Sequence, residues 1–256
     1  MSVSELLTAG GTIAPLSALL LIVLSGLTAL MTATLGAGGG VLLLAVMASV
    51  LPVSALIPVH GLVQLGANAN RAALTFSHLD RPMFSYFSLG AVAGAVLASF
   101  LVIQLPLDII QCTVAVFILI MVWGPKPKAR RTLPPGYILA GFFTTVLTMF
   151  VGATGPLVAA FAQRHRYDKL QLTATFASCM TFQHALKALV FSLVGFAFWQ
   201  WLPLVLSMIV TGAAGTWIGL RLLRQLSSAW FIRAFKIVVT LLALRLLWQA
   251  MAAHSL

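Results

Sequence analysis

His60, Gln64, Asn68 and Arg71 recur at intervals of four, four and three inside an otherwise apolar run. That spacing predicts one face of a helix. In an oily setting such a stripe must face protein or water, and a cation there costs at least ~2.5–3.5 kcal/mol to insert. At an offset of 116 residues Lys187 answers Arg71 and His184 answers Asn68, with Gln183 one turn before Lys187. Neither run contains Asp or Glu. Buried charges are normally paired, so the missing negative charge points to an anionic ligand. The competing reading has both cations snorkelling to the headgroups or pairing with backbone carbonyls. His60 and His184 could relay protons near neutral pH, although a membrane histidine is more often a hydrogen-bonded helix contact. Two histidines without a neighbouring carboxylate or thiolate do not make a metal site, and nothing in the chain asks for a cofactor.

The same offset relates two glycine-rich breaks, Gly36-Ala37-Gly38-Gly39-Gly40 and Gly152-Ala153-Thr154-Gly155-Pro156. Three successive glycines interrupt a helix and let a ligand or a neighbouring backbone approach. Pro156 suits the first turn of a new helix. The helix N-termini that follow would offer N–H donors and a favourable dipole to an anion. Paired interrupted segments in corresponding positions are the best sequence pointer to a carrier's binding site. The candidate anion-binding set is therefore Arg71, Lys187, Asn68, His184, Gln64, His60, Gly38, Gly39, Gly40, Gly152, Thr154 and Gly155.

The elements that position these residues are membrane helices. Hydrophobic residues make up 61% of the 256 and charged residues 7%, at a mean hydropathy of +1.07. Soluble domains carry about 25% charged residues, so a water-facing surface is excluded. A net charge of +11 would suggest nucleic acid in a soluble protein. Here the basic residues sit in short loops, and the lipid bilayer is the partner instead. Cys112 and Cys179 lie inside apolar runs without a CxxC, which removes redox and zinc motifs. The absence of HExxH, GxSxG and paired intramembrane carboxylates argues against a membrane-embedded enzyme.

Five apolar runs are predicted in each half: 16–35, 37–51, 54–77, 83–104 and 107–123, then 135–151, 153–163, 170–195, 199–220 and 230–250. The second of each set is too short to cross ~30 Å of hydrocarbon easily and reads as a half-crossing or re-entrant segment. Gly90 with Gly94, and Gly215 with Gly219, predict close helix packing. Twelve of the 15 basic residues (Arg81, Lys126, Lys128, Arg130, Arg131, Arg164, Arg166, Lys169, Arg221, Arg224, Arg233 and Lys236) fall on one side if the chain alternates. The positive-inside rule makes that side cytoplasmic and both termini periplasmic. Arg245 reads as structural or snorkelling. An odd number of crossings per half inverts the second relative to the first. The expected fold is an all-α polytopic membrane protein: a first repeat at 1–125, a basic cytoplasmic linker at 126–134 and a second, inverted repeat at 135–256. Self-association into a homo-oligomer is left open.

The glycine break after a first span, repeated after a basic mid-chain linker, resembles the TauE/SafE sulfite exporter family of bacterial membrane permeases. The resemblance covers nearly the whole chain, including its length and two-half layout. It implies a secondary carrier in the bacterial inner membrane, exporting sulfite, sulfonates or related organosulfur anions by alternating access. A carrier for another small organic anion or for a cation, or a membrane-embedded enzyme, is the alternative.

Overall fold

The computed structural model describes residues 2–35, 38–102, 107–124, 134–162, 167–222, 236–237, 239–245, 247–248 and 251. Ten helices are bounded within them: α1 (Val3–Leu7), α2 (Pro15–Leu35), α3 (Gly39–Ala48), α4 (Val53–Thr75), α5 (Arg81–Leu101), α6 (Leu107–Trp123), α7 (Pro134–Val151), α8 (Gly155–Ala162), α9 (Lys169–Leu193) and α10 (Leu202–Leu222). Short 3-10 turns at Phe76–His78 and Phe198–Trp201 close α4 and open α10. Further helical residues lie between 236 and 251. The all-α, multi-pass membrane fold follows the hydropathy pattern closely. Only α1, held by a reciprocal Ser2–Glu5 cap, has no counterpart among the expected runs. Gly36, Ala37, Arg164, Arg166, Arg224, Arg233 and nearly all of the 126–134 linker lie outside the described residues.

Among the described residues, four stretches are long and apolar enough to cross a membrane: Pro15–Thr34, Arg81–Leu101, Pro134–Val151 and Phe198–Leu222. Between 33% and 44% of each is buried, so the larger part of each faces outward, as lipid-contacting helices must. α4 and α9 are the opposite case. Their 23 and 25 residues span roughly 35 Å at 1.5 Å per residue, but their polar stripes lower the hydropathy. They pack against one another at the centre, and many of their residues are buried. The 10 residues of α3 and the 8 of α8 are too short to cross.

Lipid tails give helices no hydrophobic reason to associate, so small residues that let backbones touch do much of the work. A Cβ on Gly90 would collide with the Ile138 carbonyl of α7, one on Gly94 with the Phe142 carbonyl, and one on Gly141 with the Phe87 carbonyl of α5. On the other flank a Cβ on Gly215 of α10 would meet the Gly26 carbonyl of α2, and one on Gly219 would meet Leu30 and Ala33. The Thr211 hydroxyl donates to the Ile22 carbonyl (2.6 Å) and the Ser25 hydroxyl to the Met208 carbonyl (2.8 Å). Rising numbers meet rising numbers in both pairs, so α2 runs with α10 and α5 with α7. α4 and α9 run oppositely: His60 lies beside His184, whereas Thr175 meets Asp80 just beyond α4. Exchanging the two halves carries α2–α10 onto α7–α5, α4–α10 onto α9–α5, and α4–α9 onto itself; each of these pairs is in contact.

Asp80 and Asp168 are used at helix starts. Asp80 accepts from the Met83 amide (3.0 Å) to cap α5, and Asp168 from the Gln171 amide (2.7 Å) to cap α9. The Tyr167 hydroxyl also donates to Asp80, and the Asp80 amide donates to the Thr175 hydroxyl (3.1 Å). These bonds tie the α4–α5 connection to the α8–α9 connection at one end of the molecule. Burial, then the hydrogen bond and charge of Asp80, push the Tyr167 phenol above its ordinary range. Cys179 is buried and Cys112 half-buried, and neither is in a disulfide.

Candidate functional site

Both chain breaks are built on a positive backbone φ. Gly38 (φ 106°) precedes α3 and Gly152 (φ 84°) follows α7, a conformation that only glycine adopts without strain. Each break starts a short helix whose first turn is left open. In α3 the first intrahelical bonds come from Val41 and Leu42 to the Gly38 carbonyl. In α8 they come from Leu157 and Val158 to the Thr154 carbonyl. The amides of Gly39, Gly40 and Gly155 therefore have no acceptor within their helix.

These two N-termini converge on one cavity of about 30 Å³. Its wall includes Gly38, Gly40, Gly155, His60, Gln64, Asn68 and His184 from the expected set, with Thr32, Val41, Ala153, Pro156, Phe176 and Met180 added. About 10–15 Å³ of such volume holds one water, so the cavity has room for roughly two. His60 is fully buried and its Nε2 donates to the Gly40 carbonyl (3.0 Å). The His184 ring, 1% exposed, stands edge-on to it with centroids 6.4 Å apart.

The predicted stripe on α4 exists as a hydrogen-bonded ladder. The Asn68 amide donates to the Gln64 carbonyl (2.8 Å) and side-chain oxygen (3.3 Å), and Arg71 Nη1 donates to Asn68 Oδ1 (3.3 Å). Arg71 is 2% exposed, and its Nε has no partner. It lines a second space of about 10 Å³ with Ser25, Thr28, Thr32, Gly40 and Gln64. Thr32, Gly40 and Gln64 border both spaces.

Lys187 is placed differently. Fully buried, it lines neither space; its stem crosses Gly61, and its amine donates to the Gly152 carbonyl (2.9 Å). A cation at the end of α7 complements that helix's dipole. Thr154 also turns away from the cavity. Its hydroxyl donates to Gln183 Oε1 (3.0 Å), while Gln183 Nε2 donates to Thr144 (2.9 Å) and Thr145 (3.0 Å). Gly39 is a contact point for α2, since a Cβ there would collide with the Thr28 carbonyl and the Thr32 hydroxyl. The structure therefore gathers seven of the twelve candidates on one cavity and sets Arg71 beside it. Lys187, Gly152 and Thr154 hold the second break in shape. Neither buried cation reaches the lipid-facing surface, whereas Arg245 is exposed.

Residues 19–246 match the family model described as Sulfite exporter TauE/SafE. The chain belongs to the TauE/SafE sulfite exporter family. No curated protein and no solved structure matches it. TauE/SafE proteins are membrane permeases for sulfite and related anions, transporters and not enzymes. In this TauE/SafE chain the cavity joins both halves, and among the described residues no group of three or more His, Cys, Asp or Glu could hold a metal ion. The cavity's polar wall is made of helix N-termini, imidazoles and amides, with a guanidinium one layer behind.

The sequence signal for the α4 stripe was its i, i+4 periodicity. The Thr144–Thr145–Gln183–Thr154 network gave no comparable signal, because isolated threonines in an apolar run are ordinary membrane residues. Phe176 and Met180 are apolar mirror positions of the stripe, and it is the antiparallel crossing of α4 and α9 that brings them to the cavity.

Proposed function

We propose that this protein is a secondary carrier that exports small anions, sulfite, sulfonates or related organosulfur anions, across the bacterial inner membrane. One observation carries the reading: two interrupted-helix N-termini and two buried histidines converge on a single cavity between the halves, with buried cations behind it and no acid among the described residues that line it. Donors and dipoles of this kind favour negative charge, and a desolvated guanidinium with an unpaired Nε adds a long-range attraction. Lys187 contributes positive charge while it holds the Gly152 carbonyl.

The halves act as an inverted repeat, about 1–125 and 135–256, linked on the cytoplasmic side. The matched pairs α2–α10 and α7–α5, together with the opposed α4 and α9, support that reading. Rocking of one half against the other would open the cavity alternately. A space for roughly two waters is tight for a sulfonate, so loading requires that movement. The basic ends of α5, α9 and α10 lie cytoplasmic and both termini periplasmic by the positive-inside rule.

The test is flux into proteoliposomes. Wild-type protein should move sulfite or methanesulfonate saturably, and Arg71→Gln together with Lys187→Gln should abolish it. Full flux in the double variant removes the reading.

A further inference from the structure

The two cavity histidines carry an unused base. A carbonyl can only accept, so the 3.0 Å contact with the Gly40 carbonyl puts the His60 proton on Nε2 and leaves a lone pair on Nδ1. That Nδ1 is buried without a partner, and so is Nδ1 of His184. Buried polar atoms in native structures are nearly always satisfied by protein, water or an ion, so an unpartnered one on a cavity marks a place where a ligand or proton can bind. Here two exceptions sit on facing rings, 6.4 Å apart at 76°, in one cavity.

The charged surroundings are sparse. On α9, Lys187 lies one turn beyond His184. On α4, Arg71 lies three turns beyond His60. α2, α3, α7 and α8 contain no Asp, Glu, Lys, Arg or His. Tyr137 of α7 belongs to a separate cluster with Met83 and Ala162. Arg81 of α5 and Arg221 of α10 stand at the first residue and in the last turn of their helices. α6, which packs on α3 and α4, carries one acid, Asp108, at its second residue. With two cations near and no acid along α4 or α9, a third positive charge is unfavourable while the cavity is empty. An anion between the rings reverses that balance. Anion occupancy and proton occupancy must then strengthen each other equally, because coupling between two binding events is reciprocal.

We propose that His60 and His184 are the proton-binding site of the carrier. An anion entering the cavity draws one proton from bulk solvent onto the bare Nδ1 of the pair. Anion and proton then leave together on the other side, and the imidazoles return to neutrality. This rests on the anion-carrier reading and adds its coupling ion.

The test uses proteoliposomes with a pH-sensitive dye in the lumen and two probes, sulfite and methanesulfonate. Methanesulfonate stays ionised throughout the working range and cannot carry the proton itself. For either probe, the ratio of protons to anions moved should fall by one in the His60→Gln, His184→Gln variant relative to wild type. In wild type alone, a pH gradient of one unit should drive a tenfold accumulation of methanesulfonate on the alkaline side, since anion and proton move as a neutral pair. An unchanged ratio in the variant, or no pH-driven accumulation in wild type that moves methanesulfonate, overturns the proton site alone. If neither anion moves in wild type, the anion-carrier reading falls with it. The accumulation experiment needs no variant, so its failure overturns the proton site even if the double substitution does not fold or does not transport.

Discussion

Gly90→Ala and Gly215→Ala test the packing on which any movement between the halves depends. Each adds one methyl group where a backbone carbonyl of the neighbouring helix already stands, that of Ile138 for Gly90 and that of Gly26 for Gly215. A backbone carbonyl cannot swing aside as a flexible side chain can, so the helices must part. Overpacking of this kind costs ~1–3 kcal/mol. For a chain of this size each kcal/mol moves the melting temperature by about 2–4 °C, giving a fall of about 2–12 °C. Gly155→Ala is the control: its new Cβ would lie 3.5 Å from Phe176 Cζ, an ordinary contact, and should leave the melting temperature near wild type. The assay is thermal unfolding of detergent-purified protein followed by tryptophan fluorescence. Because α2–α10 and α7–α5 are matched pairs, the two substitutions should fall by similar amounts. Wild-type melting for Gly90→Ala or Gly215→Ala would refute the close approach, and a large fall in Gly155→Ala would refute the reasoning from contact distance.

Further outcomes follow from particular bonds. Gln183→Leu removes the hydrogen bonds to Thr144, Thr145 and Thr154 and should cost about 1–3 kcal/mol, read as a lower melting temperature; an unchanged value would show that the network does not hold the second break. Gly152→Ala forces a Cβ into a φ of 84° and within 2.8 Å of Leu44 Cδ1. It should destabilise by at least ~1–2 kcal/mol, and wild-type melting would contradict the strained turn. Tyr167 holds its proton more tightly in the folded state, so its stabilising contribution is complete below the ordinary phenol value of about 10 and is lost as pH rises above it. Tyr167→Phe should lower stability at neutral pH and flatten the decline above pH ~10; an identical alkaline profile would dismiss the Asp80 bond.

Much of this was legible in the chain because the membrane imposes one strong rule, that backbone polar groups be satisfied within the segment. Run lengths then reveal helices, and α2, α6, α7 and α9 start and stop within two residues of their expected bounds. The His60–Gln64–Asn68–Arg71 face was readable for the same reason, since helical periodicity is a local property. Partners across helices were not. Gly90 and Gly94 announced a close contact, but nothing local said that Gly141 of α7 would answer them. Carbonyl pairing was the competing reading for Lys187, but which carbonyl was not legible, because the acceptor lies 35 residues earlier. Every residue has a carbonyl, and only the turn at Gly152 makes that one available. The cavity itself is a property of the antiparallel crossing of α4 and α9, which neither sequence segment encodes alone.

Selenite, a heavier analogue of sulfite, gives the most direct measurement. Protein crystallised in the presence of selenite, so that the anion loads in solution before the lattice forms, and recorded at the selenium absorption edge locates the anion without reference to activity. The account predicts one dominant selenium peak between Gly40, Gly155, His60 and His184, lost in Arg71→Gln with Lys187→Gln. A dominant peak on the basic helix ends around Arg81 and Lys169, with none in the cavity, would contradict it.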